Sequence, residues 1–345
     1  MSSWITPPEC GATGIGGLPH TDPRQACDDV LEAFPKFPYV PTLPNRGLME
    51  SIVFCDSTSL PGGIVHDGRL GIDPSRDAGS EMEKIYLDFM EKNVSPYART
   101  DRNASAFFEM AKRDFSSAAI LKCQVTGPVT FGMQVVDADR RPLYYDDQYA
   151  DVISKMIALI ARWCEEAMRQ FSGVKETLVV LNEPYLASLG SSVVPIRQEN
   201  VTAGWEDIAG MVEGGIGIHC CANTDWSYLM GLNPSFLSFD AFTCSRELLL
   251  YMDDLVEFME RGGVVAWGLV PARPEDFSKV TPDSLFQQFS AIRQQVADSC
   301  SDDLFMKQSV VTPTCGIQTG DPSQAREIMG AAAALSDRAR AGRPK

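Results

Sequence analysis

Short apolar runs alternate with amphipathic segments along most of the chain. Each run is rich in branched or aromatic residues and ends at Gly, Pro or a polar residue, as buried strands do. The runs span residues 12–19, 37–44, 118–128, 176–184, 215–222, 236–242, 264–272 and 309–316. Helix-patterned stretches lie between them, at residues 22–34, 149–171, 201–213, 246–262, 281–297 and 322–339. The pattern predicts an α/β protein, a single (β/α)8 TIM barrel built from eight parallel strands.

The connection between the second and third predicted strands is longer than a crossover requires. Residues 45–117 contain the turn sequence Leu60-Pro61-Gly62-Gly63 and helix-patterned stretches near 81–93 and 104–115, so we expect an excursion with a hairpin. The segment 185–200 after the fourth strand has no helical period, and long loops of this fold usually lie at its catalytic face. We expect one domain over residues 1–345, with residues 339–345 as a frayed tail.

Composition and charge limit the class of protein. Hydrophobic residues make up 44% and charged residues 22% of 345 residues, as in a globular protein with a large core. A net charge of -16 disfavours binding to nucleic acid or to anionic membranes. The chain shows neither an apolar stretch of roughly 20 residues nor a signal peptide, so we expect a cytoplasmic protein. Its ten cysteines then fit reduced thiols and a metal or catalytic site better than disulfides.

Metal-binding side chains occur where several predicted strands end. In a barrel these positions meet at the rim that carries the active site. His219 and Cys221 are two residues apart on the fifth strand and therefore share a face, whereas Cys220 points the other way. Thiolate and imidazole groups are preferred ligands of Zn²⁺. The sequence predicts a zinc ion held by His219, Cys221 and Cys315, with Asp240 or water as the fourth ligand.

A cysteine on a strand is more often a core residue than a ligand. The position of these cysteines favours the metal site, because one of only three histidines in the chain lies two residues from Cys221 at a strand end. A purely structural zinc is disfavoured, since a barrel of this size buries enough apolar surface without one. The sequence predicts no catalytic residue apart from the metal ligands.

Five short motifs, in this order and spacing, resemble the C-terminal catalytic barrel of the cobalamin-independent methionine synthase family, within the superfamily that also contains uroporphyrinogen decarboxylase. The resemblance extends over nearly the whole chain. It implies zinc-dependent methyl transfer to a thiol, with His219, Cys221 and Cys315 as ligands and Asp240 in place of a family glutamate. The motifs are Ile15-Gly16-Gly17-Leu18-Pro19-His20-Thr21, residues 122–130 with Thr126-Gly127-Pro128, Asn182-Glu183-Pro184, His219-x-Cys221 and Pro313-Thr314-Cys315-Gly316.

Two departures from the family pattern concern the substrate. Gly17 stands where the synthases have a serine and Asn182 where they have an aspartate, and both family residues contact the amino-acid part of homocysteine. A neutral Asn182 attracts an ammonium group less than a carboxylate does. We expect Asn182 and Glu183 to orient the acceptor, and the backbone amides of Gly16 and Gly17 to hold its carboxylate. His20 faces either the cleft or the surface.

The resemblance implies a small-molecule thiol substrate, with homocysteine giving methionine as the first candidate. The resemblance covers only the C-terminal barrel, so we expect a protein like the short core-only synthases, without the N-terminal barrel that helps the full-length synthases to bind folate. The methyl donor is therefore expected to be a methylated corrinoid, a corrinoid protein or a methyl-folate. A corrinoid-dependent methyltransferase acting on another thiol and a non-catalytic zinc-binding relative are the alternatives.

Two further enzyme classes fit less well. Many glycosidases also present a general acid in an Asn-Glu-Pro sequence at the end of a fourth barrel strand, but they need a second carboxylate at the end of the seventh. Residues 264–271 contain no acid, and the next one is Glu275. Decarboxylation of a porphyrinogen needs no metal and would leave the cysteines without a role.

Overall fold

The computed structural model describes residues 4–317 and 320–342. Seven parallel strands form the main sheet, in the order β1-β9-β8-β7-β6-β5-β4, and β2 and β3 form an antiparallel hairpin. The strands are β1 (Gly11–Ala12), β2 (Gly63–His66), β3 (Arg69–Ile72), β4 (Ile120–Thr126), β5 (Glu176–Asn182), β6 (Gly215–Cys220), β7 (Phe236–Phe239), β8 (Val264–Val270) and β9 (Ser309–Pro313).

Helices surround the sheet. The α-helices are α1 (Pro23–Ala33), α2 (Ala78–Glu91), α3 (Ser105–Met110), α4 (Pro128–Gln134), α5 (Asp147–Arg169), α6 (Gln198–Met211), α7 (Trp226–Gly231), α8 (Ala241–Leu249), α9 (Met252–Glu260), α10 (Pro274–Phe277), α11 (Pro282–Ala297), α12 (Asp302–Lys307) and α13 (Pro322–Ala341). Short 3₁₀ helices are Pro44–Arg46, Leu48–Glu50, Phe54–Ser59, Ser95–Tyr97, Leu143–Tyr145 and Pro184–Ser188. In the described ranges, every helix is too short or too polar to cross a lipid bilayer.

The α/β class and six of the eight predicted strands are confirmed, and of the first, residues 12–19, only Ala12 lies in the two-residue strand β1. The second predicted strand, residues 37–44, forms only isolated parallel bridges, from Tyr39 to β4 and from Thr42 to Gly17. Its sequence explains this, because Pro38, Pro41 and Pro44 have no backbone N–H to donate to a ladder. The structure thus shows a curled parallel sheet of seven strands, and the closed eight-stranded barrel stays a prediction.

The excursion between residues 45 and 117 contains the expected hairpin. Asp67 and Gly68 link its strands with positive φ angles of 49° and 71°, as a two-residue hairpin turn requires. A buried ion pair, with Arg99 Nη2 2.8 Å from Asp56 Oδ2, lies within the excursion. Arg99 Nη1 also donates to the backbone oxygen of Gln124 on β4, at 3.4 Å, so the pair holds the excursion against the sheet.

The two faces of the sheet strands have different neighbours. On the inner face, an apolar cluster that includes Ile120, Val180 and Phe236 fills the interior of the curled sheet on the side of the amino-terminal ends of the strands. Outward residues such as Leu121 and Val125 belong to the larger core shared with the helices. Because side chains alternate along each strand, polar residues nearer the carboxyl ends also point inward. The candidate metal site lies among them.

The C-terminal helix is longer than expected. α13 continues through Ala341 and Ala339 is buried, so the part of the predicted tail 339–345 that precedes residue 342 is helical. Residues 343–345 lie outside the described part of the chain. The single domain over residues 1–345 and the cytoplasmic location stay predictions.

Candidate metal centre

His219, Cys221 and Cys315 meet at the carboxyl end of the sheet. His219 lies in β6, Cys221 directly follows this strand, and Cys315 lies two residues after β9. One nitrogen or sulfur atom from each residue lies within 4.8 Å of the others. Ligands of a tetrahedral zinc ion are about 3.5–3.8 Å apart, given zinc–sulfur and zinc–nitrogen bonds of about 2.3 and 2.0 Å. Small side-chain rotations would therefore bring the three atoms to bonding distance.

His219 presents an unpaired ring nitrogen. The residue is buried, with its Nδ1 2.9 Å from the hydroxyl oxygen of Ser238, its register partner on β7. Its Nε2 atom is buried and makes no hydrogen bond of normal geometry, although the His219 ring lies close enough to the Cys221 thiol to oppose the rise in the pKa of that thiol. A buried polar atom without a partner costs free energy, and a metal ligand is a common explanation for one. When the Nδ1–H group of His219 donates a hydrogen bond to Ser238 Oγ, the lone pair of Nε2 is free to bind a metal.

The thiols of Cys221 and Cys315 shift each other's pKa in opposite directions. A hydrogen bond from the Cys221 thiol lowers the pKa of the Cys315 thiol from 9.0 to about 7. The same hydrogen bond raises the pKa of Cys221 to about 12, because Cys221 is then the group that keeps the proton. Zinc binds the thiolate form of cysteine, so the pair already holds one thiolate ligand near neutral pH.

Asp240 lies at the same edge of the sheet, where its side chain caps the N-terminus of helix α8. It is the N-cap of α8, where its Oδ1 accepts from Thr243 N at 3.0 Å and its Oδ2 from Thr243 Oγ1 at 2.7 Å. Burial raises its pKa, and the nearby His219 has the opposite effect. The cluster of close ligand atoms found among the described residues does not include Asp240. Its role as the fourth ligand stays a prediction.

Asn182 and Glu183 at the end of β5 face different ways. Asn182 is in register with His219, so the two side chains share a face of the sheet, and its Oδ1 accepts from Gln124 Nε2. Glu183 accepts instead from the N-terminus of α4. Its Oε1 is 3.0 Å from Val129 N and its Oε2 is 2.8 Å from Thr130 N, and burial raises its pKa to about 7. These contacts hold Glu183 against the start of α4, and its role in orienting a substrate stays a prediction.

The glycine turn is also occupied by protein contacts. Gly16 has a φ of 30°, and its backbone N–H donates to Gln124 Oε1, so this amide is not available to a substrate carboxylate. Gly17 forms the isolated bridge with Thr42 through the backbone groups of its neighbours Gly16 and Leu18, so the role of its own amide in holding a carboxylate stays a prediction.

His20 is fully buried, so the surface alternative is wrong. Its Nε2 lies 2.8 Å from Asp29 Oδ2 on α1. The same carboxylate oxygen accepts from Arg326 on α13, at 3.3 Å.

Sequence reasoning missed three inward residues near the site. Lys122 and Gln124 lie two residues apart on β4, and burial lowers the pKa of the Lys122 amine to about 7. Lys122 Nζ is 3.4 Å from Gln124 Oε1 and 5.3 Å from the centre of the Tyr39 ring. Ser238 is the third. Strand alternation could have identified all three as inward polar residues, but their partners depend on the register between strands.

The fold and the cluster together define an α/β protein with a candidate zinc centre at the carboxyl edge of its parallel sheet. No protein-family model matches the chain, and no curated protein matches it in sequence.

Among solved structures, the chain is similar to a protein from Listeria monocytogenes provisionally named a vitamin-B12-independent methionine synthase. The TM-score is 0.52 at 14% identity, with 92% of this chain and 86% of that chain covered, which shows a shared fold. A B12-independent methionine synthase from Shewanella sp. W3-18-1, in complex with selenomethionine, matches with a TM-score of 0.46 at 14% identity. That match covers 65% of this chain and 63% of the other.

Proposed function

We propose that this chain is a zinc-dependent methyltransferase that methylates a small thiol, with homocysteine as the first candidate and methionine as its product. The observation that carries the proposal is the unpaired, buried Nε2 of His219 beside the Cys221–Cys315 pair. Support also comes from the location of this cluster, at the edge of a parallel sheet where active sites of such folds lie. The fold shared with the Listeria protein agrees with this class of enzyme.

His219, Cys221 and Cys315 would hold the zinc ion. A bound zinc ion supplies a positive charge that keeps a substrate thiol in its thiolate form at neutral pH. Three protein ligands leave one position for that sulfur, as in catalytic rather than structural zinc sites. Asp240 at the same rim is the candidate for a weak fourth ligand that the substrate replaces.

Other residues would prepare the site for the acceptor. Ser238 orients the His219 ring, and the half-buried pair of Cys221 and Cys315 supplies one thiolate before metal binds. Asn182 shares the face of His219 and would contact the part of the acceptor beyond its sulfur. The methyl donor in this proposal is a methylated corrinoid or a methyl-folate.

A second candidate is methylation of a thiol other than homocysteine by a corrinoid-dependent route. The observation that favours it is the neutral Asn182, whose Oδ1 already accepts from Gln124 and which carries no charge to attract an ammonium group.

Metal analysis combined with matched cysteine variants tests the proposal. We expect about one zinc ion per purified chain, retained in Cys300→Ser and lost in Cys315→Ser. Cys300 is a suitable control because its thiol donates to Val296 O, at 3.3 Å, and it does not belong to the cluster. Methyl transfer is then measured with homocysteine and other thiols against methylcobalamin and methyl-folate. Zinc retained unchanged in Cys315→Ser would refute the site, and loaded protein without turnover of any thiol would indicate a non-catalytic relative.

A further inference from the structure

A chain of contacts that begins at a backbone amide fixes the orientation of the Gln124 side chain. The N–H of Gly16 donates to one terminal atom of Gln124, and since a backbone N–H can only donate, this atom is the oxygen Oε1. Lys122 Nζ, also a donor, lies 3.4 Å from the same atom. The other terminal atom of Gln124 is therefore the nitrogen Nε2.

The same reasoning fixes the orientation of Asn182. Gln124 Nε2 can only donate, so the Asn182 atom that it contacts is Oδ1 and the amino group Nδ2 lies on the opposite side of the amide. Gln124 is buried, whereas Asn182 is partly exposed. Within residues 4–317 and 320–342, no protein acceptor bonds to Asn182 Nδ2. Asn182 therefore offers a hydrogen-bond donor on the face that it shares with His219.

The carboxylates of Glu183 and Asp240, which lie near the site, accept hydrogen bonds from other parts of the protein. Both oxygens of Glu183 accept from the start of α4, and both oxygens of Asp240 accept from Thr243. The amine of Lys122 lies next to Gln124, on the inner face of the sheet. An ammonium group beside Asn182 Nδ2 would face another hydrogen-bond donor, whereas an oxygen acceptor there would gain a hydrogen bond.

We propose that the acceptor thiol carries a carboxylate at Asn182 and needs no ammonium group, and that Gln124 sets this preference as a positioning residue. The inference rests on the proposed function, because the sulfur must be held by the His219, Cys221 and Cys315 centre for Asn182 to contact the rest of the molecule. It narrows the substrate class to small thiol carboxylates.

Three thiols that differ by one group test the preference. Homocysteine carries both groups, 4-mercaptobutyrate lacks the ammonium group, and 3-aminopropanethiol lacks the carboxylate. Their dissociation constants are measured by titration calorimetry on zinc-loaded protein, with the zinc content of each sample determined. We expect 4-mercaptobutyrate to bind at least about tenfold more tightly than 3-aminopropanethiol. This ratio of dissociation constants follows from one hydrogen bond that is made or left unmade.

The variant Gln124→Glu is expected to reverse the orientation of the Asn182 side-chain amide while Asn182 itself is kept. One oxygen of the introduced carboxylate still accepts from Gly16, but the other now accepts as well, so Asn182 has to turn Nδ2 towards it. Oδ1 then faces the thiol, and the preference is expected to reverse in favour of 3-aminopropanethiol. A merely structural role for Gln124 would weaken the binding of both thiols alike.

The added charge needs its own control. In the double variant Gln124→Glu with Asn182→Ala there is no amide to turn, so the affinity ratio should not reverse. Asn182→Asp, which leaves Gln124 intact and replaces the donor by a carboxylate, should favour 3-aminopropanethiol and serves if Gln124→Glu does not fold.

The outcomes separate this inference from the proposed function. Equal affinities of the wild-type protein for the two single-group thiols, or a reversal that persists in the double variant, would overturn the role of Asn182 and Gln124 alone. Failure of fully zinc-loaded protein to bind any of the three thiols would overturn the proposed function and this inference together.

Discussion

Removing the Ser238 hydroxyl should weaken zinc binding without disturbing the fold. In Ser238→Ala the Nδ1 atom of His219 loses its partner at 2.9 Å, so neither the tautomer nor the ring orientation that directs Nε2 to the metal is held. Loss of such a supporting hydrogen bond typically lowers metal affinity about 10–100-fold. An unpaired buried donor costs about 1–3 kcal/mol, which corresponds to about 5–150-fold and agrees with that range.

Competition against a chromophoric chelator at constant pH measures this effect. Ser235→Ala is the matched control, because Ser235 is equally buried just before β7 but bonds to the backbone of Ile216 instead of His219. Ser238→Thr keeps the hydroxyl and should restore most of the affinity. Equal zinc affinity in Ser238→Ala and in the wild-type protein would refute the role of Ser238 in orienting the His219 ring for the metal.

Three further predictions concern the two cysteine thiols, the Glu183 carboxyl group and the packing of Gly127. Zinc affinity should rise with pH, with a slope in log affinity of about one above pH 7 from the Cys221 proton and about two below it, where Cys315 also holds a proton. Because the folded-state pKa of Glu183 is raised from 4.5 to about 7, its protonation stabilises the fold at low pH. The unfolding free energy should fall by about 3 kcal/mol as pH rises through this interval, and Glu183→Gln should remove that slope. Gly127→Ala should destabilise the fold by about 1–3 kcal/mol, because a Cβ there would lie 2.2 Å from the Glu183 carboxyl carbon, whereas Gly210→Ala has open space.

Each of these has a clear contrary result. A single slope across pH 5–9 in chelator competition would mean that the two thiols do not shift each other's pKa in opposite directions. A pH-independent unfolding free energy in urea titrations would mean that Glu183 is ionised in the folded protein at low pH. Equal stability of the two glycine variants would mean that Glu183 does not pack against Gly127.

The strands that the sequence predicted correctly are those whose formation depends on the local hydrophobic pattern. Continuous apolar runs such as residues 264–270 became strands, because a strand buried on both faces needs no polar alternation. Residues 37–44 were also apolar and yet form no strand. The prolines at 38, 41 and 44 have no backbone N–H to donate to a neighbouring strand, and this effect outweighs the hydrophobic pattern of the segment.

The site could be predicted only in part for a similar reason. His219, Cys221 and Cys315 were identifiable because their chemistry and their places at strand ends are visible in the sequence. The burial of His20 depends on its contact with Asp29, and the partners of Ser238 and Gln124 depend on how strands align. Such long-range pairings leave no local pattern in a single chain.

The proline-rich segment 37–44 also bears on how the protein avoids misassembly. A sheet edge exposes unpaired backbone groups that can recruit a strand from another molecule. Here residues 36–42 lie against both β4 and the stretch that follows β1, with hydrogen bonds such as Val40 N to Lys122 O and Leu18 N to Thr42 O. Because its prolines withhold donors, this segment can cover two edges and still be a poor template for a further strand. The residues that interrupt the sheet thereby protect it from edge-to-edge aggregation.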